Sequence, residues 1–376
     1  MNPDLLPEGL RDRLMPDAEA AALLTQRYLG VLASHGYERV APPLMEYERS
    51  LAFRTDGYAK DRMVRAVDPQ SLRTLALRSD MTVQIGRIAT TRLADKARPL
   101  RLSYAGPVMT LAAGQLRPER ERFQIGAELI GRDTVAAAVE IVSLAVEALK
   151  AVGLTGITVD FTLPDLVPTL ANKAFPLADE AMIAAVEREL DTKDAGGLAA
   201  IGADAYIPLL YAMGPLDEAL AKLNAIDAGG ALASRIEALR QIAAPLEDDV
   251  TLMLDPSERH GFEYQSWFGF TLYAEGFPSA VGRGGTYAIR SQANSVSHGE
   301  DEVATGFSLY PDPLVAAGIG HAQAKRIFLP LGYEPAAAAT LRGEGWRTVA
   351  ALDESDDARA LGCAYILGTD GPEKIA

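Results

Sequence analysis

Between residues 164 and 246 the apolar positions recur at helical spacing, rich in Ala and Leu and poor in β-branched residues, while the chain on either side alternates as strands do. This change of period is the strongest constraint on the fold. Strands run up to Leu163 and resume at Val250, so an all-helical segment of residues 164–246 is inserted into a sheet-forming unit. Before the insert, residues 100–131 alternate apolar and polar side chains around a charged loop, the pattern of two antiparallel strands. Residues 157–163 read as a further strand. After the insert come strands over 250–254, 265–273 and 280–282, and Arg283-Gly284-Gly285-Thr286-Tyr287 reads as a tight glycine loop.

Helices flank these strands. One starts near Asp17, carries Ala21, Leu24, Tyr28, Val31 and Leu32 on one side, and stops at Gly36. A short strand at 75–78 leads into a helix over 81–93 with Asp80 as its N-cap, and Asp133-Thr134 caps an Ala-rich helix through Lys150. The last 52 residues alternate strand (RIFLPL), helix (PAAAATLRGEG), strand (RTVAAL), helix (DDARALG) and strand (YIL). The expected fold class is α+β: an antiparallel sheet flanked by helices over 1–322, with its helical insert, and a short C-terminal α/β domain over 325–376.

A net charge of −15 disfavours nucleic acid, whose affinity comes largely from cations neutralising phosphates. The one basic run, Arg117 to Arg122, is cancelled by Glu119 and Glu121. The single cysteine, Cys363, excludes an internal disulfide, and the four histidines are scattered, so no metal site and no cofactor are expected. No basic, apolar leader opens the chain, and charges or prolines interrupt its apolar stretches before the ~18 residues of a membrane span. A cytoplasmic location with no membrane contact is expected.

Six segments in order carry a resemblance to class II aminoacyl-tRNA synthetases of the histidyl type. They are residues 6–12 (LPEGLRD), 36–46 (GYERVAPPLME, similar to motif 1), 77–82 (LRSDMT), 104–128 (similar to motif 2), 260–273 with 282–287 (similar to the histidine-specific segments) and 304–309 (ATGFSL, similar to motif 3). The resemblance implies a synthetase-like sheet and a twofold dimer interface at 36–46. It also implies a histidine pocket of Asp80, Thr82, Gln124 and Glu128 with Tyr264 and Tyr287 as aromatic walls; Gln265 replaces a family tyrosine that touches the imidazole. Gln124 and Glu128 stand four apart on one strand and so share a face.

The same resemblance marks what is missing. Joining a carboxylate to the α-phosphate of ATP brings two anions together, and fixed arginines must stabilise the charge that develops. The family's three arginines fall at Thr110, His260 and Pro313, with Arg259 a candidate substitute for the second. The tail is short and acidic for an anticodon-reading domain, with six basic and eight acidic residues. Binding residues kept without reaction residues resemble the regulatory-subunit family of ATP phosphoribosyltransferase. Membership implies a non-catalytic chain, a short catalytic subunit as partner in a hetero-octamer, and histidine as effector. A divergent histidyl-tRNA synthetase or other amino-acid adenylating paralogue, and a freestanding histidine sensor, are the alternative readings.

Overall fold

Ala20, Leu24, Tyr28 and Leu32 recur along the first helix, Asp17–Ser34, and all four are buried. Gly36, at φ +80°, takes the left-handed turn that ends it. Against this helix packs a second apolar one, Val135–Ala151, whose cap Thr134 accepts a hydrogen bond from the backbone N–H of Ala137 at 3.3 Å. Both helices cover the back of a sheet and bury Ile125, Ala127, Leu129, Phe161, Phe268, Phe270 and Phe307 in one core. Each large apolar side chain removed from water contributes roughly 1.5–3 kcal/mol.

The computed structural model describes residues 5–54, 63–111, 119–227, 229–246, 250–259, 265–290, 301–322 and 325–375. These form two compact units, 1–320 and 321–376. Strands in chain order are β1 (Glu38–Arg39), β2 (Met45–Tyr47), β3 (Arg65–Val67), β4 (Thr74–Leu77), β5 (Leu100–Met109), β6 (Glu121–Ile130), β7 (Thr158–Thr162) and β8 (Gly214–Pro215). There follow β9 (Thr251–Leu254), β10 (Gln265–Tyr273), β11 (Gly282–Ile289), β12 (Glu302–Leu309), β13 (Arg326–Leu329), β14 (Arg347–Ala350), β15 (Tyr365–Gly368) and β16 (Gly371–Lys374).

Among the described residues the main sheet runs β1-β5-β6-β12-β11-β10-β7-β9-β8. It is largely antiparallel, with parallel pairs β1–β5 and β7–β9. A small sheet, β2-β4-β3, stands beside the helix Thr82–Thr91, which lies on the front of the main sheet against Leu102, Tyr104, Ile130, Tyr287 and Ile289. Arg78 ties this region together: buried, it donates to the carbonyl oxygens of Pro42 at 2.9 Å and Pro107 at 2.8 Å.

Several sequence expectations need correction. The 283–287 run is no loop but the middle of β11, paired with β10 on one side and β12 on the other. Its glycines answer crowding: a Cβ on Gly284 would strike the Phe270 ring and the Gly306 carbonyl oxygen. The insert is not wholly helical, because Gly214–Pro215 adds an edge strand to β9, where Pro215 needs no outer partner. Its other described elements are helices, Leu166–Ala171, Glu180–Asp191, Ala195–Ala200, Leu216–Ile226 and Ala233–Ala243, with a 3-10 turn over Asp204–Tyr211.

In the second unit, by itself, the strand order is β14-β13-β15-β16 with the helix Pro335–Gly343 between β13 and β14. The DDARALG segment turns rather than coils into a helix. Asp353 accepts from the Ser355 N–H at 2.8 Å, Asp356 from the Leu352 N–H at 2.6 Å and Asp357 from the Ala360 N–H at 2.7 Å. Side chains that bond nearby backbone compete with the helical ladder.

Candidate effector site

Alternation along the strands puts one set of side chains on the back, in the core, and the other on the front. Glu128 faces front from β6, one ladder step from Gly306 of β12, which pairs with Gly285 of β11, which pairs with Gly269 of β10, which pairs with Thr162 of β7. Three glycines therefore stand in one row between Glu128 and Thr162. A Cβ at Gly306 would land on the Glu128 carboxylate, and one at Gly269 or Gly285 would meet the side chain of Gln265. The row leaves a trough floored by bare main chain. At its Glu128 end is a cavity of about 250 Å³, counting the open mouth, lined by Thr82, Glu128, Gln265, Arg283, Tyr287 and Ser308 with main chain of the glycine row.

Glu128 is buried, and its two oxygens are held by two phenols: Tyr104 donates to Oε1 at 3.0 Å and Tyr287 to Oε2 at 2.8 Å. Burial raises the carboxyl pKa from 4.5 to about 8; the phenol hydrogen bonds and Thr82 pull it down, while the charge of Asp80 adds to the rise. The site thus holds a carboxyl poised close to neutral pH, a protonation state that a cationic group placed beside it would change. Burial and the neighbouring charges of Glu128 and Asp80 push the Tyr104 phenol far up, so it stays a donor. Its hydroxyl also meets Thr82 Oγ1 at 3.1 Å and Ser308 Oγ at 3.2 Å.

The residues expected from sequence fall into separate roles. Thr82, Glu128 and Tyr287 meet at the cavity. Gln124 shares their sheet face but is engaged at both ends: its Oε1 accepts from the Met81 N–H at 2.9 Å and its Nε2 donates to Ser308 Oγ at 2.8 Å. It pins the helix Thr82–Thr91 to the sheet. Asp80 is not among the cavity-lining residues. Met81 takes the N-cap position expected of Asp80, whose Oδ1 accepts from the Thr82 N–H at 2.6 Å. Asp80 reaches Glu128 through its charge. Tyr264 and His260 lie outside the described residues.

Thr110 ends the β5–β6 hairpin with its N–H on the Arg120 carbonyl oxygen at 2.9 Å, and Pro313 sits in the first turn of the helix Asp312–Ala316. Between them a wider cavity, about 600 Å³ with its open space, is lined by Arg11, Arg13 and Arg122 but equally by Glu119, Glu121 and Asp312. Arg13 pairs with Asp312, which also accepts the Phe123 N–H at 2.7 Å. Arg259, the candidate substitute, pairs with Glu187 and donates its backbone N–H to Asp191 at 3.0 Å. It lines a neighbouring cavity with Glu258, not the Glu128 cavity.

Sequence reasoning missed Tyr104, Ser308 and Arg283. A usable signal existed for the first: Tyr104 pairs with Gly126 across β5 and β6, and the missing Cβ of Gly126 is what makes room for the phenol. Among the described residues no group of three or more His, Cys, Asp or Glu side chains is arranged to hold a metal. Nor is any described helix long and apolar enough to cross a membrane.

The family model for histidyl-tRNA synthetase matches residues 9–314. An ATP phosphoribosyltransferase regulatory subunit from Rhodospirillum centenum is 42% identical over 372 residues, spanning 96% of this chain and 94% of that one. The protein of the same name from Paramagnetospirillum magneticum is 41% identical, over 98% of this chain and 97% of that one. A solved Bacillus halodurans protein, described as an ATP phosphoribosyltransferase regulatory subunit/histidyl-tRNA synthetase, superposes with a TM-score of 0.79 at 23% identity, covering 96% of each chain. The histidyl-tRNA synthetase of Nostoc superposes with a TM-score of 0.77 at 16% identity, over 98% of this chain and 92% of that one, which shows the shared class II fold. With a synthetase-type sheet and relatives of this identity along nearly its whole length, the chain belongs to the histidyl-tRNA synthetase-like family of ATP phosphoribosyltransferase regulatory subunits.

Proposed function

We propose that this chain is the non-catalytic regulatory subunit of an ATP phosphoribosyltransferase, acting at the first step of histidine biosynthesis. It activates a short catalytic subunit and binds histidine in the Glu128 cavity, through which it lowers the activity of the complex. One contrast carries the reading. Glu128, Thr82 and Tyr287 line one cavity, while the positions where the resemblance places phosphate-binding arginines hold Thr110 and Pro313. An acidic, hydrogen-bonding cavity suits an ammonium beside an imidazole N–H. The relatives' names supply the partner.

The direct test mixes the purified chain with the short catalytic subunit. The two are expected to co-elute, and condensation of ATP with phosphoribosyl pyrophosphate should rise on mixing and fall again on adding histidine. Separate elution with unchanged activity, in a chain that binds histidine, would leave a freestanding sensor instead.

The chain alone should be at least a dimer through residues 36–46. This segment is held rigid: Glu46 takes a two-pronged contact from Arg87, and Gln84 donates to the Pro43 carbonyl oxygen at 2.8 Å. Leu44 remains 45% exposed and Tyr47 36%, apolar area that a twofold partner would cover. Light scattering at micromolar concentration should give twice 40.1 kDa or more; the monomer mass contradicts the assignment.

A further inference from the structure

We propose that Arg283 anchors the carboxylate of the amino acid bound at Glu128, and so makes the site selective for amino acids over amines of the same side chain. The inference rests on the reading of the cavity as a histidine site and names the contact that reading lacks.

An α-amino acid enters as a zwitterion. Thr82, Glu128 and the tyrosines answer its ammonium and imidazole, but none of them answers its carboxylate. Taking a carboxylate out of water without a counter-charge costs several kcal/mol, so a closed site needs a cation or a cluster of N–H donors. The resemblance places one of the family's arginines at position 260, which here is a histidine. Its neighbour Arg259 is committed to Glu187 and lies in the adjoining cavity.

Arg283 is the one lysine or arginine among the described residues that line the Glu128 cavity. Alternation along β11 puts Arg283, Gly285 and Tyr287 on one face, and the Gly284 Cβ direction points the other way, into the Phe270 ring. Tyr287 reaches Glu128 at one end of this stretch. Arg283 stands at the other end, four residues or about 13 Å away along the strand, a span that two long side chains shorten to the length of a small amino acid. Between them the side chain of Gln265 lies over Gly285 and donates to the Gly284 carbonyl oxygen at 2.8 Å. Arg283 stands in register with Ser308 of β12 and Thr271 of β10. It lines both the Glu128 cavity and its neighbour, so it stands where the two meet. A guanidinium can hold a carboxylate through two parallel N–H donors.

The experiment is calorimetric titration of the full chain with histidine and with histamine, which keeps the imidazole and ammonium and lacks the carboxylate. The native chain should bind histidine roughly 10- to 100-fold more tightly than histamine, the scale of one hydrogen bond to a charged group. In Arg283→Gln the histidine affinity should fall to the histamine level while histamine binding stays as in the native chain, which also shows that the variant is folded. Arg283→Lys should recover part of the preference. A variant that loses both ligands equally, or neither, overturns the assignment of Arg283 and leaves the cavity reading intact. A native chain that binds no histidine overturns the cavity reading, and the assignment with it.

Discussion

Histidine-dependent ATP–pyrophosphate exchange by this chain is expected to remain at the level of a no-enzyme control. Adenylation requires positive charge fixed where the histidine carboxylate meets the α-phosphate, and removal of a single stabilising donor typically lowers turnover by about 10²–10³-fold. Thr110 and Pro313 supply no charge. Arg11, Arg13 and Arg122 share one cavity with as many carboxylates, Arg13 being paired with Asp312. Two missing cations of ordinary effect remove on the order of 10⁴–10⁶ from the rate, taking the effects as independent. Exchange well above the control would contradict the proposal that the chain is not an enzyme. Weak ATP binding would not, since affinity and rate acceleration are separate properties.

Glu128→Gln should weaken histidine binding roughly 10- to 100-fold, because a hydrogen bond to a charged group contributes about 1.5–3 kcal/mol and each 1.4 kcal/mol is tenfold. If this cavity alone carries the signal, the histidine concentration that half-inhibits the assembled complex should shift by a similar factor, since binding couplings are reciprocal. Activity without histidine should persist, the reacting groups belonging to the partner. Unchanged titration and unchanged inhibition in a folded variant would put the effector site elsewhere, with the catalytic subunit the first place to look.

The same variant has a pH signature. The folded-state pKa of Glu128 lies near 8, above the ordinary 4.5, chiefly through burial. The folded protein therefore holds a proton that the unfolded chain gives up. The associated stability is complete below pH 4.5 and lost as pH rises through 8. Gln, which never ionises, avoids that loss. The unfolding free energy of Glu128→Gln relative to the native chain, read from denaturant titrations, should climb between pH 5 and pH 9 by an amount on the order of a few kcal/mol at about 1.4 kcal/mol per pKa unit. A difference that stays flat over this range would mean that Glu128 is ionised throughout. Histidine binding should also release a proton in the native chain near pH 7 and release less in the variant.

The elements that could be read from sequence are those whose evidence is local. Leu24, Tyr28 and Leu32 announce their helix by spacing, Thr134 announces a cap, and the Gln124–Glu128 spacing places both on one face before any partner strand is known. The site itself is non-local. Tyr104, Ser308 and Arg283 acquire their roles only when β5, β6, β12 and β11 are in register, and nothing within a few residues of any of them records that register. Glycine was misleading for the same reason. A run of it suggests a turn, whereas here the chain needs it because Phe270 and Gln265 come in from a neighbouring strand. Gln124 shows the opposite case: correctly placed on its face, it is held by Met81 and Ser308 rather than standing open in the cavity.

The glycine row from Gly306 through Gly285 to Gly269 has an evolutionary consequence. A recess floored by peptide groups has almost no alleles: every single replacement at Gly306 or Gly285 adds atoms where Glu128 or Gln265 already lies. Selection for a different effector can therefore work only on the walls. Gln265 and Arg283 are the positions at which drift or design would retune what the recess admits. A descendant that no longer needed an effector could silence the site in one step, by exchanging Gly306 for alanine, whose Cβ would displace the Glu128 carboxylate.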